Sequence, residues 1–177
     1  MTPEPRSEEL KQYVRNVPGY PQPGIVFRDI TPLLGRKEIF REVVELMSRS
    51  WAMRSPDLVA AIEARGFIPG AAVAVKLNAG FVPIRKVGKL PWTTIGEAYQ
   101  LEYGTDELQV HSDAVEPGQK VLIVDDVLAT GGTAAAAVRL IRKLGGEVIG
   151  VQVLIELQDL GGRTRLPDVE VISEIVY

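Results

Sequence analysis

Apolar and polar positions alternate between two periods along the chain. Ile39, Phe40, Val43, Val44, Met47 and Trp51 recur at helical spacing with charged residues between them, which predicts an amphipathic helix over residues 38–51. Residues 58–62, 80–84 and 121–124 are short, unbroken apolar runs, the pattern of strands covered on both faces. Residues 148–157 and 169–175 read as further strands. Between them, the Ala-rich stretch 66–77 and residues 132–144 read as helices, the second closed by Gly145 and Gly146. Near the start, Ser7 is placed to cap a helix over residues 8–14. Prolines and glycines from Pro18 to Gly24 then force an irregular crossing, followed by a short apolar stretch, 25–30, around Arg28 and Asp29. Residues 89–106 read as a loop with ribbon character continuing to Val110.

Strands alternating with helices imply an α/β fold with a mostly parallel central sheet flanked by helices. Ligands in such sheets bind beyond the carboxyl ends of the strands. The positions to search are therefore those just after Ile62, Ile84, Val124 and Ile155.

Composition narrows the picture. The chain has 177 residues, enough for a single α/β domain. Apolar residues make up 46% and charged residues 24%, and the net charge is −3, so neither a disordered chain nor a basic nucleic-acid binder is expected. There is no cysteine, which excludes disulfides, thiolate metal sites and a cysteine nucleophile. The N-terminus is polar and acidic, unlike a secretory signal, and no apolar run approaches the roughly 20 residues that span a bilayer. A soluble cytoplasmic protein is the expectation. The one histidine, His111, has no partners for a metal site and is read as structural or surface-exposed.

The most informative stretch is 121–133, V-L-I-V-D-D-V-L-A-T-G-G-T. An apolar strand delivers Asp125 and Asp126 to its end, and Ala129, Thr130, Gly131, Gly132 and Thr133 then open a helix. Free N–H groups and the dipole at a helix start favour a phosphate. Glycine lets the backbone approach closely, and the threonines add hydroxyl donors. Carboxylates beside a phosphate would repel it, so the acids suit hydroxyls or a hydrated cation. A ligand with a phosphate at one end and a diol in the middle, such as ribose 5-phosphate, satisfies both halves. The stretch is neither a Walker A loop nor G-x-G-x-x-G.

This stretch resembles the phosphoribosyl pyrophosphate (PRPP) motif of the type I phosphoribosyltransferases. Together with P-G-I-V-F-R-D-I-T-P at 23–32, E-A-R-G-F-I-P-G at 63–70, P-I-R-K-V-G-K-L-P at 83–91 and Y-Q-L-E-Y-G-T at 99–105, it resembles the adenine phosphoribosyltransferase family over most of the chain. The resemblance implies one domain over residues 1–177, with a small hood from about residues 1–35 and a flexible lid over about residues 89–107. It implies transfer of the phosphoribosyl group of PRPP to N9 of adenine, giving AMP and pyrophosphate, with Mg2+ reached through PRPP, pyrophosphate and water rather than by direct protein ligands.

Roles follow residue by residue. Val26 and Arg28 would lie at the adenine, with Phe27 on one ring face and Leu157 on the other. Arg65 and Gly66 would hold pyrophosphate in a loop that often carries a non-proline cis peptide, for which Glu63–Ala64 is the candidate bond. Arg85, Lys86 and Lys89 would meet the anionic leaving group, Arg85 reaching into a neighbouring subunit of a homodimer. Glu102 would handle the proton of the purine imidazole edge, and Tyr103 would help cover PRPP. Val87 in the basic segment, and Trp92 and the stretch I-G-E-A-Y-Q in the expected lid, depart from the family pattern. A transferase for another purine, or a non-catalytic PRPP sensor, are the alternative functions; no DNA-binding module accompanies the motif.

Overall fold

The computed structural model describes residues 5–100 and 105–177. Helix α1 (Pro5–Leu10) leads through a single 3-10 turn into an antiparallel hairpin, β1 (Arg15–Pro18) and β2 (Val26–Asp29). The first helix therefore begins at Pro5 and stops at Leu10, rather than starting behind a Ser7 cap and running to Val14. A proline suits a first helical turn, where its missing N–H is not needed. Short helix α2 (Thr31–Leu34) and amphipathic α3 (Lys37–Arg49) follow.

The rest is a seven-stranded sheet with its crossovers. In chain order these are β3 (Leu58–Ile62), α4 (Phe67–Leu77), β4 (Gly80–Lys86), β5 (Thr94–Gln100), β6 (Thr105–His111), β7 (Lys120–Leu128), α5 (Gly132–Lys143), β8 (Glu147–Glu156) and β9 (Val171–Val176). The strand order is β5-β6-β4-β3-β7-β8-β9, with β4, β3, β7, β8 and β9 mutually parallel and β5-β6 an antiparallel appendage on β4. The ribbon character expected of this segment is an antiparallel pair, with Tyr99 opposite Asp106 and Thr94 opposite His111.

The pleat of β7 explains how one strand holds both sides of the molecule. Val121 and Ile123 point to the face covered by α5, packing with Ala136, Ala137 and Leu140. Leu122 and Val124 point to the opposite face, into a core with Val43, Met47 and Val73 of α3 and α4. All four β7 side chains are fully buried, as the unbroken aliphatic run requires. Beneath the second face, Trp51 donates to Gln152 at 2.7 Å, and Gln152 donates on to Glu174 at 3.0 Å, so this buried polar chain is hydrogen-bonded.

Strands β3 and β7 are neighbours, yet β3 continues through α4 to β4 on one side and β7 through α5 to β8 on the other. Their outgoing loops diverge, and a crevice at such a switch point is where α/β sheets bind ligands.

Candidate active site

The two acids are not at the end of β7. The strand continues through Asp125 and Asp126 to Leu128, with Asp125 opposite Val153, Val127 opposite Ile155 and Leu128 opposite Glu156. The aliphatic run stops at Val124, but the backbone ladder does not, because β8 offers partners for three more residues, Asp125, Val127 and Leu128. The carboxylates are therefore fixed by strand geometry. Asp125 Oδ1 accepts the Asp126 N–H at 2.8 Å. Burial pushes the Asp125 carboxyl well above the usual range, and the Asp126 charge adds to the shift. Burial also raises Asp126, with the Arg65 charge acting against it.

The loop after β3 delivers the counter-charge. Glu63–Ala64 is a cis peptide, as the resemblance implies. Arg65 Nε lies 2.8 Å from Asp126 Oδ2, and the Arg65 guanidinium carbon sits 4.6 Å from the centre of the Phe27 ring. Neither Asp126 Oδ2 nor Arg65 Nη1 has an aligned hydrogen bond, although both atoms are buried. The pair is thus held by charge and has polar capacity in reserve. Gly66 closes the same corner: a Cβ there would come 2.6 Å from the Ile62 carbonyl and 2.7 Å from Asp125 Oδ1.

After Leu128 the chain turns through Ala129, Thr130 and Gly131 into α5. Gly131 has φ +80°, and a Cβ on it would collide with the Gly162 carbonyl. Gly162 in turn leaves no room for a side chain against the Ala129 carbonyl. The first α5 turn bond is Ala135 N–H to Gly131 O, so the amides of Gly132 to Ala134 have no acceptor within the helix. The Gly161–Gly162 seat is a feature that the sequence reading missed. It is held by Arg163, which donates to both Glu156 oxygens at 2.7 Å and to the Val171 carbonyl at 2.6 Å. Ser173 adds a 2.6 Å hydrogen bond to Glu156. These partners hold the Glu156 carboxyl below its usual range, the Arg163 hydrogen bond foremost.

Phe27 on β2 packs edge-on against Tyr20 at 5.3 Å between ring centres and faces Arg65. Arg28 is turned elsewhere: it hydrogen-bonds Asn16, and its guanidinium lies 3.8 Å from the centre of the Tyr177 ring. Tyr177, also unanticipated, exchanges backbone hydrogen bonds of 2.9 Å with Glu156 and Gln158, on either side of half-buried Leu157. Val26 is 41% exposed.

The basic cluster is shared out among carboxylates. Arg85 Nε donates to Glu63 at 3.0 Å and its Nη1 to the Lys89 carbonyl at 2.9 Å, so it folds back along its own chain instead of extending outward. Lys86 N donates to the same Glu63 oxygen at 3.1 Å, and its ammonium pairs with Asp106 at 3.0 Å. Glu102 and Tyr103 lie outside the described residues.

The expected base segment, pyrophosphate loop and acid pair therefore meet at Arg65, beside a glycine loop opening a helix. A family model described as "Phosphoribosyl transferase domain" matches residues 31–176. Adenine phosphoribosyltransferase of Thermotoga maritima is 59% identical over 169 residues, 96% of this chain and 98% of the relative. The chain belongs to the adenine phosphoribosyltransferases. A crystal structure of the Rhodothermus marinus family member is 52% identical with a TM-score of 0.93, covering 97% of this chain and 98% of that one. The Saccharomyces cerevisiae family member, solved with an imino-altritol bisphosphate and adenine, is 34% identical with a TM-score of 0.91, covering 96% and 98%. The hairpin bearing Phe27 precedes the matched domain but falls within the stretch shared with these relatives.

Proposed function

We propose that this protein transfers the 5-phosphoribosyl group of PRPP to N9 of adenine, releasing AMP and pyrophosphate, a purine-salvage reaction. The observation that carries the reading is Arg65, held between the Phe27 ring and the Asp126 carboxylate. A base on Phe27 and a ribose on the acids would then lie on either side of one cation. The amides of Gly132 and Thr133, with the Thr130 and Thr133 hydroxyls and the Ala129–Gly131 backbone, would bind the 5-phosphate. Asp125 and Asp126 would accept the ribose hydroxyls. Arg65, Gly66, Lys86 and Lys89 would receive pyrophosphate, with Arg85 positioned by Glu63. Val26, Arg28 and Leu157 would flank the adenine, Glu102 would manage the imidazole proton and Tyr103 would cover the donor. Most of the rate enhancement would come from this positioning and from dipoles already in place.

The buried, unaligned Asp126 Oδ2 fits a hydrated cation. Magnesium bound to PRPP oxygens, reached from Asp125 and Asp126 through water, would supply Lewis-acid stabilisation of the leaving group. A homodimer is supported by apolar side chains left exposed near one edge: Ile68 (44%) and Val75 (84%) on one face of α4, with Phe81 (39%) on β4. A cytoplasmic location agrees with the cysteine-free composition.

AMP formation from adenine, PRPP and magnesium tests the reading. Turnover of xanthine or hypoxanthine in place of adenine would sink it, and Glu102→Gln is expected to abolish most of the AMP formed.

A further inference from the structure

Strand β5 is latched onto helix α5 along its length. Glu97 pairs with both Arg139 and Lys143, and Lys143 also donates to the Gly96 carbonyl at 3.3 Å. Farther along the same strand face, two residues on, Tyr99 is 7% exposed, and its hydroxyl donates to Asp106 Oδ2 at 3.2 Å across the β5–β6 ladder. The Thr133 side chain, in the first turn of α5, lies near enough to that hydroxyl to act on it as a hydrogen-bond donor. Tyr99 and Gly132 also line one cavity of about 350 Å³. Lys86 neutralises Asp106 from 3.0 Å, so Asp106 keeps a partner whichever way Tyr99 turns.

Proton counting sharpens this arrangement. A phosphate dianion only accepts hydrogen bonds, and threonine has a single hydroxyl proton. While Tyr99 donates to Asp106, Thr133 can reach Tyr99 only by donating to it, which spends that proton. Once Thr133 donates to a phosphate, its oxygen is left to accept, and Tyr99 can turn its own proton from Asp106 to Thr133. We infer that Tyr99 is a positioning residue for the 5-phosphate, reversing its hydrogen bond between Asp106 and Thr133 when a phosphate is bound. This inference rests on the proposed PRPP reading of the α5 loop. It also links that loop to the β5–β6 ribbon, whose connection contains Glu102 and Tyr103.

The test compares ligands that differ only at the phosphate. Titration calorimetry on the full chain with Tyr99→Phe is expected to weaken AMP and magnesium–PRPP binding about fivefold, the scale of one neutral hydrogen bond. Adenosine binding should stay within about twofold of wild type, and KM for PRPP should rise while KM for adenine does not. Because the hydroxyl acts through Thr133, the double variant Tyr99→Phe/Thr133→Val should bind AMP no more weakly than Thr133→Val alone. Unchanged AMP affinity in Tyr99→Phe, an equal loss for adenosine, or additive losses in the double variant each overturn the inference. Wild-type protein that binds neither AMP nor PRPP overturns the functional reading along with it. Wild-type binding with no Tyr99 effect overturns the Tyr99 role alone.

Discussion

Arg65 and Asp126 form an ion pair, 2.8 Å between Nε and Oδ2, that ties the loop after β3 to the neighbouring parallel strand β7. A guanidinium with a donor still unaligned can pair bidentately with a phosphate, whereas an ammonium offers a point charge. Arg65→Gln is expected to lower kcat/KM for PRPP about tenfold to a hundredfold, the scale of one or two charge-assisted hydrogen bonds. Arg65→Lys should recover only part of it. Steady-state kinetics with each substrate varied in turn checks this, and a full recovery by lysine would contradict the geometric argument.

Asp125 is a carboxylate whose folded-state pKa lies above its unfolded value, chiefly through burial. The sign of the linkage is then opposite to that of a salt-bridged acid. Between the unfolded pKa, near 3.8, and the raised folded one, the native state binds the extra proton, so stability falls as pH rises through that window. Asp125→Asn keeps an oxygen for the Asp126 N–H while removing the charge. The variant should melt about 2–4 °C above wild type at pH 8, roughly 1 kcal/mol for a chain of this size, with a smaller gap at pH 4. It should also lose most PRPP binding. Melting curves at the two pH values decide the matter: a lower Tm for the variant at pH 8 would refute it.

Gly131 has φ +80° and touches the Gly162 backbone. Gly131→Ala therefore combines an unfavourable backbone region with a collision, about 1–3 kcal/mol of strain that the loop can relieve only by moving. PRPP affinity is expected to fall at least tenfold. Gly162→Ala, which meets the Ala129 carbonyl from the other side, should have the same signature. AMP and adenosine titrations separate this local effect, specific to the phosphate, from general misfolding.

Glu156 is 5% exposed and is matched by Arg163 and Ser173. Because Glu156 titrates below its usual range, its contribution to stability is present above the unfolded pKa and is lost as pH falls through the folded one. Arg163→Met leaves the buried Glu156 carboxylate without its counter-ion; because Arg163 is itself about half exposed, solvent screens the pair and the loss is about 1–3 kcal/mol. The variant should show a lower Tm and weaker AMP binding, since Arg163 anchors the Gly162 seat. Adding Glu156→Gln should restore part of the Tm, as thermal unfolding of the single and double variants would reveal.

The strands were legible because parallel strands buried on both faces carry unbroken aliphatic runs, and Val121 to Val124 is such a run. The same signal placed the end of that strand too early, since Asp125 and Asp126 interrupt the apolar pattern while the ladder with β8 goes on. The glycine loop was legible from its local chemistry. Its seat on Gly162, the stacking of Arg28 on Tyr177 and the division of Arg85 and Lys86 between Glu63 and Asp106 were not. Each joins residues far apart in sequence or sets one charge among several candidates. A single chain carries no record of which carboxylate a lysine will find.

The hairpin of β1 and β2 is a sheet of its own, whereas Asp125 and Asp126 lie on a strand of the large sheet that pairs with β3 as far as Val124 and with β8 as far as Leu128. The two halves of the crevice therefore differ in how they come apart on heating. Amides of β7 can exchange with deuterium only when the whole domain opens, while those of the hairpin can exchange by local fraying. With the hairpin carrying the base and β7 the ribose, as proposed, sugar-phosphate binding would outlast base discrimination just below the melting transition.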